Sequence, residues 1–324
     1  MFTPDAAGPA MTAALPTTTP GAYAPPPPEV GRLVAAIDGT TTSDGALFVA
    51  DALARRDRGD VVLCSVYEPI ATLGDPTVLT TEFGSMDAAM RAQFERAIEA
   101  QRRRTGFGDA PWRARAMRGQ PARTIARVAA EEEARLVILG HSRHGVVERA
   151  LGRETALQVA RTAGVPVLAV PATMRALPRR ALVAVDFSAA SRAAARAALA
   201  LVGDRGALYL VHTAPSATPV VPEFAWDPTW DRAYERTVEQ MLDALEDELG
   251  APEGVHVTRL LRRGPIASDL LALAKLEDVD LIATGSHGYG AVARAFVGSV
   301  STRVMREASC ATLVVPPAAT APRT

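Results

Sequence analysis

The chain has 324 residues, nearly half of them hydrophobic, and its 35 basic and 36 acidic side chains leave a formal net charge of −1. That length suits about two domains with a core in each, and the charge balance argues against a nucleic-acid groove. No apolar run approaches the roughly 20 residues of a membrane helix, the N-terminus lacks the pattern of a secretory signal, and two cysteines, Cys64 and Cys310, make neither a disulfide framework nor a zinc site. A reduced cytoplasmic compartment with no membrane and no nucleic-acid partner is the expectation.

In chain order, residues 1–28 come first as a tail rich in Pro, Thr and Ala, too poor in apolar surface to order itself. Residues 29–172 then read as strands alternating with helices, residues 172–178 as a short linker, and residues 178–317 as a second copy of the same order. In that second copy the spacing predicts a strand at 180–186, an alanine-rich helix at 189–202 capped by Ser188, and a strand at 206–213. A helix near 230–249, a strand at 255–262, a helix opened by Pro265 and strands at 280–285 and 311–315 follow, with a helix between the last two. The duplication shows directly: ARLVILGHSRHG answers VDLIATGSHGYG, GVPVLAVP answers SCATLVVP, and Gly140 to Gly285 and Pro171 to Pro316 are both separated by 145 residues. Apolar strands separated by helices predict parallel sheets covered on both faces, hence two tandem α/β domains of the doubly wound, Rossmann-like kind. The strand order stays open. The last strand of each copy is short and apolar, an edge that needs covering. Whether whole chains form a homodimer is open.

The chemistry concentrates after the fourth strand of the second copy. Gly285 ends that strand, Gly288 lies in the next loop, and Gly298-Ser299-Val300-Ser301 opens the following helix. Glycines permit close backbone approach and positive φ. A helix N-terminus with serine hydroxyls makes an anion site. Lys275 is the only lysine and no Gly-Lys pair exists, so a Walker-type loop is excluded. Asp186 ends the first strand, where a doubly wound sheet binds ligands; its other reading is a cap for the next helix.

This G-x2-G-x9-G-[ST]-x-[ST] spacing after an Asp-ended first strand resembles the ATP-binding signature of the universal stress protein family. The second copy matches it at Gly285, Gly288, Gly298, Ser299 and Ser301, and DFSAAS and LVHT are similar to the family's pattern. The resemblance implies a five-stranded parallel sheet per domain and, since such last strands pair across a two-fold in that family, packing of the two copies as a pseudo-symmetric dimer through them. It also implies ATP, accompanied by Mg2+, as ligand, with Asp186, Thr213 and Thr284 near the nucleoside and the Gly298–Ser301 segment on the phosphates. The first copy keeps Asp38 and Gly140 but has Arg143 for Gly288, Gly152 one residue early, and Arg153-Glu154-Thr155 for Ser-Val-Ser. It reads as degenerate; the rival reading is an anion held by Arg143 and Arg153.

Other features carry less. His141 and His144 have no third metal ligand nearby. His287 sits in the loop, His212 reads as packed, and Trp226, Trp230 and Tyr234 read as core cover. Arg102-Arg103-Arg104 reads as a solvated helix face. No nucleophile elbow occurs. The expected function is a stress-response regulatory protein with ATP as ligand and unknown protein partners. Against it stand a slow ATPase or nucleotidyl-transfer enzyme, and a nucleotide-independent interaction module.

Overall fold

A computed structural model describes residues 31–68, 80–141, 146–214, 228–286 and 297–317. The proline-rich tail and the calls on Arg143, His144, Trp226, His287 and Gly288 lie outside the described residues. The first copy contains β1 (Leu33–Ala36), α1 (Asp44–Asp57), β2 (Val61–Tyr67), α2 (Thr80–Thr105), β3 (Arg113–Arg118), α3 (Pro121–Glu131), β4 (Leu136–His141), α4 (Val146–Thr162) and β5 (Val167–Pro171). The second contains β6 (Arg180–Ala184), α5 (Ala189–Val202), β7 (Gly206–Ala214), α6 (Pro228–Leu249), β8 (Val255–Arg263), α7 (Ile266–Leu276), β9 (Leu281–Gly285), α8 (Ser299–Glu307) and β10 (Ala311–Val315). Local chemistry starts several helices as expected. The Ser188 hydroxyl accepts from the Ser191 N–H at the head of α5. Pro121 is the first residue of α3, and Pro265 immediately precedes α7.

The ten strands form one sheet in the order β3-β2-β1-β4-β5-β10-β9-β6-β7-β8. Within each half every pairing is parallel, giving the doubly wound order 3-2-1-4-5 twice. The halves join where β5 and β10 pair antiparallel, with Leu168 opposite Leu313. Thr312–Ala169 and Val314–Val167 flank that pair and exchange under the 145-residue offset, so the pseudo-two-fold passes through the two leucines. The two edges that needed covering cover each other.

Side chains alternate across the sheet. Leu33 and Ala35 face one side with Leu47 and Leu53 of α1, Ala194 and Ala198 of α5, and Leu242 and Leu245 of α6. That apolar layer runs unbroken across both halves. The opposite face is divided: Val34 and Val137 pack with α3 and α4 residues, whereas Leu182 and Ile282 pack with Leu270 of α7 and Val304 of α8. The outer edges, β3 and β8, carry arginines held by acids: Arg113 and Arg115 on Glu132, Arg263 on Asp231, and Arg259 on Asp243. Charged edges resist pairing with another chain.

One expectation needs correcting. Arg102 does not lie on a solvated face: its side chain is largely buried and donates to the carbonyls of Phe107, Gly108 and Ala110. The last turn of α2 packs onto that following loop, and the loop's carbonyls need a donor with several N–H groups. Among the described residues no helix is long and apolar enough to cross a membrane.

Cys64, in the middle of β2, is fully buried, and that burial pushes its thiol up to about 12 against the weaker pull of Arg115 and Arg127. The thiolate is the reactive form, so Cys64 is expected to stay unmodified by a thiol reagent at pH 8 in the folded protein and to react once denaturant is added. Equal native labelling of Cys64 and Cys310, read by mass spectrometry, would contradict this packing. The same shift makes the unfolded chain lose its proton first, so this group lowers stability as pH rises from its ordinary value of 9.0 towards 12.

Candidate functional site

β6 stops at Ala184, and the chain turns through Asp186 into α5. The Asp186 carboxylate accepts from the Ser188 N–H at 3.0 Å, and its own N–H faces the Ser191 hydroxyl at 3.4 Å. Asp186 therefore shapes the turn, while the helix cap proper is Ser188. Between them Phe187 has φ +63°, a left-handed conformation rare for a bulky residue. The first copy has Gly39 at the same place with φ +79°. Phe187 packs its ring 5.0 Å from that of His212. As expected, His212 is satisfied: Nδ1 meets the Val185 carbonyl at 2.7 Å and Nε2 the Tyr234 hydroxyl at 2.8 Å. The carbonyl can only accept, so Nδ1 carries the proton and Tyr234 donates.

Beside this turn, at the carboxyl ends of β6, β7 and β9, lies a cavity of about 270 Å³. β6 and β9 are adjacent although the chain reaches β9 only after β7 and β8, which makes this the switch point of the half-sheet. The structure brings Asp186, Thr213, Thr284, Gly285, Gly298, Ser299, Val300 and Ser301 together as its lining, with an apolar wall of Val211, Ile266 and Leu270. Thr213 donates its hydroxyl to Asp269 at 3.2 Å, and Arg262 donates to the same carboxylate at 3.0 Å. Thr284 is buried and its hydroxyl has no partner among the described residues. A buried hydroxyl left unpaired costs about 1–3 kcal/mol.

α8 presents its N-terminus to the cavity. Gly298 is the cap residue and contributes no side-chain bond, and its own N–H donates to the Ser286 carbonyl at 2.7 Å. The first helical return bond is from Thr302 to Gly298, so the N–H groups of Ser299, Val300 and Ser301 have no partner within the helix. They carry the positive end of the helix dipole. Ser299 is exposed, whereas Ser301 is buried and donates its hydroxyl to the Gly285 carbonyl at 2.7 Å. That bond ties α8 to β9, so the Ser301 hydroxyl proton, expected from the sequence as a donor to phosphate, is engaged within the fold.

The glycines divide by function. A Cβ on Gly285 would sit 2.8 Å from the Ala190 carbonyl carbon and 2.9 Å from the Ser191 nitrogen. The end of β9 crosses the head of α5 too closely for a side chain, and Gly285 does not take a positive φ. Gly140 meets the same constraint, with a Cβ 2.5 Å from Ser43 Cα, which accounts for its retention in the first copy. Gly298 is different: among the described residues a Cβ there would meet only the Ser286 oxygen, at an ordinary 3.4 Å.

The equivalent region of the first copy has lost these groups. Sheet register puts Val66 where Thr213 stands, and the 145-residue offset puts Leu139 at Thr284 and Ala156, instead of the Thr155 that the glycine spacing suggested, at Ser301. Asp38 is exposed, and its carboxylate accepts from Thr40 and Ser43 on one oxygen and from Thr42 on the other. His141 Nε2 faces the Cys310 carbonyl of the other half at 3.4 Å. Among the described residues no three His, Cys, Asp or Glu side chains group as a metal site. Sequence reasoning passed over Asp269, Ile266 and Leu270. Asp269 carries one signal, an acid in the first turn of the helix after Pro265.

The family model for the Universal stress protein family matches twice, over residues 29–171 and 178–316. The fold is similar to that of a universal stress protein from Archaeoglobus fulgidus DSM 4304, at 20% identity and a TM-score of 0.56, over 90% of this chain and 97% of that one. It is also similar to a protein of unknown function from Pseudomonas aeruginosa PAO1, at 15% identity and a TM-score of 0.59, over 90% and 94% of the two chains. No curated protein matches the sequence.

The two glycines give opposite expectations. Gly285→Ala should cost about 2 kcal/mol, because backbone rather than a movable side chain opposes the new methyl. Gly298→Ala should cost only about 0.5 kcal/mol, the penalty of a poorer cap. Urea denaturation midpoints compare them directly, and equal losses would contradict the division.

Proposed function

This chain belongs to the universal stress protein family, and from that premise we propose that it is a cytoplasmic stress-response protein whose second half binds one ATP as a regulatory ligand. The observation that carries the reading is one cavity holding both an unpaired buried hydroxyl, on Thr284, and the uncapped N-terminus of α8. These groups suit a nucleotide. The N–H groups opening α8 hold phosphate oxygens, with Ser299 adding an exposed hydroxyl. Asp186 accepts from the nucleoside, Thr284 finds its missing partner there, and the wall of Val211, Ile266 and Leu270 takes the apolar face of the base. Mg2+ enters with the triphosphate, which supplies most of its oxygens. The first half, with Val66, Leu139 and Ala156 at the matching positions and both Asp38 oxygens engaged by neighbouring hydroxyls, binds none.

ATP is a ligand rather than a substrate in this reading. Among the described residues the acid lining the cavity is Asp186, which in this reading is committed to binding, accepting the Ser188 N–H in its own turn and the nucleoside beyond it. General-base work needs a group free to take a proton from water. ATP consumption should stay below about one turnover per second, at the low end of ordinary enzymes; a faster steady rate in a phosphate-release assay would replace the regulatory reading with an enzymatic one.

Thr284→Val tests the site itself. The substitution keeps the shape and removes the unpaired hydroxyl. It should stabilise the ligand-free protein by about 1 kcal/mol and weaken ATP binding about tenfold, equivalent to about 1.4 kcal/mol. Calorimetric titration should give one ATP per chain in the wild type. Two equivalent sites would mean that the first half binds as well. Unchanged affinity in the folded variant would remove Thr284 from the site.

A further inference from the structure

The anion-binding helix of the second half is packed on the first half. Val297, one residue before the Gly298 cap, and Met305, near the far end of α8, are both buried in the apolar cluster that contains Ala156, Leu157 and Ala160 of α4. Val304, on the adjoining face of α8, packs instead with Leu270 of its own half. Arg306 pairs with Glu154 of α4 at 3.0 Å. The packing is unequal across the pseudo-two-fold: the 145-residue offset matches Met305 to Ala160, so α8 supplies the large side chain and α4 the small one. α8 is thus fixed from three directions. Ser301 and Gly298 bond it to the end of β9, Val304 seats it beside α7, and α4 supports its remaining side.

We propose that α4 of the first half is part of the nucleotide site of the second, with Leu157 as a positioning residue that acts through the apolar cluster it shares with Val297 and Met305 to hold α8 against the cavity. The inference rests on the nucleotide reading given above and assigns the degenerate half a role in it. Packed interiors move between discrete arrangements instead of deforming smoothly. A shift of the α4 surface therefore changes where the Ser299, Val300 and Ser301 N–H groups sit. Charge-assisted hydrogen bonds to phosphate depend steeply on that distance and direction. The Arg306–Glu154 pair is too exposed to contribute much by itself; the buried apolar contact carries the effect. By linkage, ATP bound at α8 stabilises the docked position of α4 to the same extent.

The test is a calorimetric titration of the full-length protein with Mg-ATP, with thermal unfolding measured in parallel. Leu157→Ala is compared with Leu47→Ala, an equally buried leucine in α1 on the opposite face of the sheet. Leu157→Ala should lower ATP affinity about fivefold or more. Leu47→Ala should lower thermal stability comparably while leaving affinity within about twofold. If Leu157→Ala fails to fold, Leu157→Val, a smaller truncation, should still give a loss of about twofold that a Leu47→Val control does not. Equal affinity loss in the two positions, or none in either, overturns the inference and leaves the ATP site standing. No binding in the wild type overturns the nucleotide reading and this inference together.

Discussion

The antiparallel pairing of β5 with β10 is the contact on which the rest of the molecule depends. Each half ends in a short strand, VLAVP or ATLVV, apolar on both faces and fully buried. Alone, either strand would leave a row of unpaired N–H and C=O groups beside an apolar surface. Placed against each other, with Leu168 opposite Leu313, they convert two half-sheets into one. The pairing also merges the helical layer of α1, α2, α5 and α6 into a single apolar stratum. On the other face it brings α8 onto α4. The duplication is thus more than two beads on a string: the second copy completes the first.

Once the halves share a core, selection on each can diverge. The second retains hydroxyls at Thr213 and Thr284 and accepts a left-handed Phe187 beside Asp186, a strain of about 1 kcal/mol or more. The first relaxes at the matching places. Gly39 takes the same left-handed turn at little cost, valine and leucine replace the threonines, and Thr40, Thr42 and Ser43 bind Asp38. A left-handed Phe187 and an unpaired Thr284 hydroxyl on one side, Gly39 and a hydrogen-bonded Asp38 on the other, fit the proposed division, although the first half keeps an unpaired buried hydroxyl of its own at Ser65.

Much of this was legible in the sequence, because strands buried on both faces and helices with caps leave strong local marks. Ser188 caps α5 for the reason its chemistry gives, Pro265 marks the start of α7 to within one residue, and the repeat offsets mark the duplication. The strand order was not legible, since periodicity says which face a residue occupies and nothing about its neighbour across the sheet. The signature glycines were only half legible. Spacing identifies Gly285 and Gly298 alike, yet one is small because α5 crosses it and the other has open space. That difference lies in distances to residues nearly a hundred positions away. Asp269 was missed for the same reason: its partners, Thr213 and Arg262, come from two other strands.

The arginines on β3 and β8 have a consequence for the sheet as a whole. With the central strands spent on each other, these two strands are the places where the ribbon could still grow, and each is fenced by Arg113 and Arg115 or by Arg259, Arg262 and Arg263. In a chain with one lysine the fence is guanidinium throughout. A lysine fence would turn neutral near pH 10.4, whereas guanidinium keeps its charge beyond pH 12. The ten-stranded ribbon therefore ends on charged edges that disfavour the addition of another strand far into alkali.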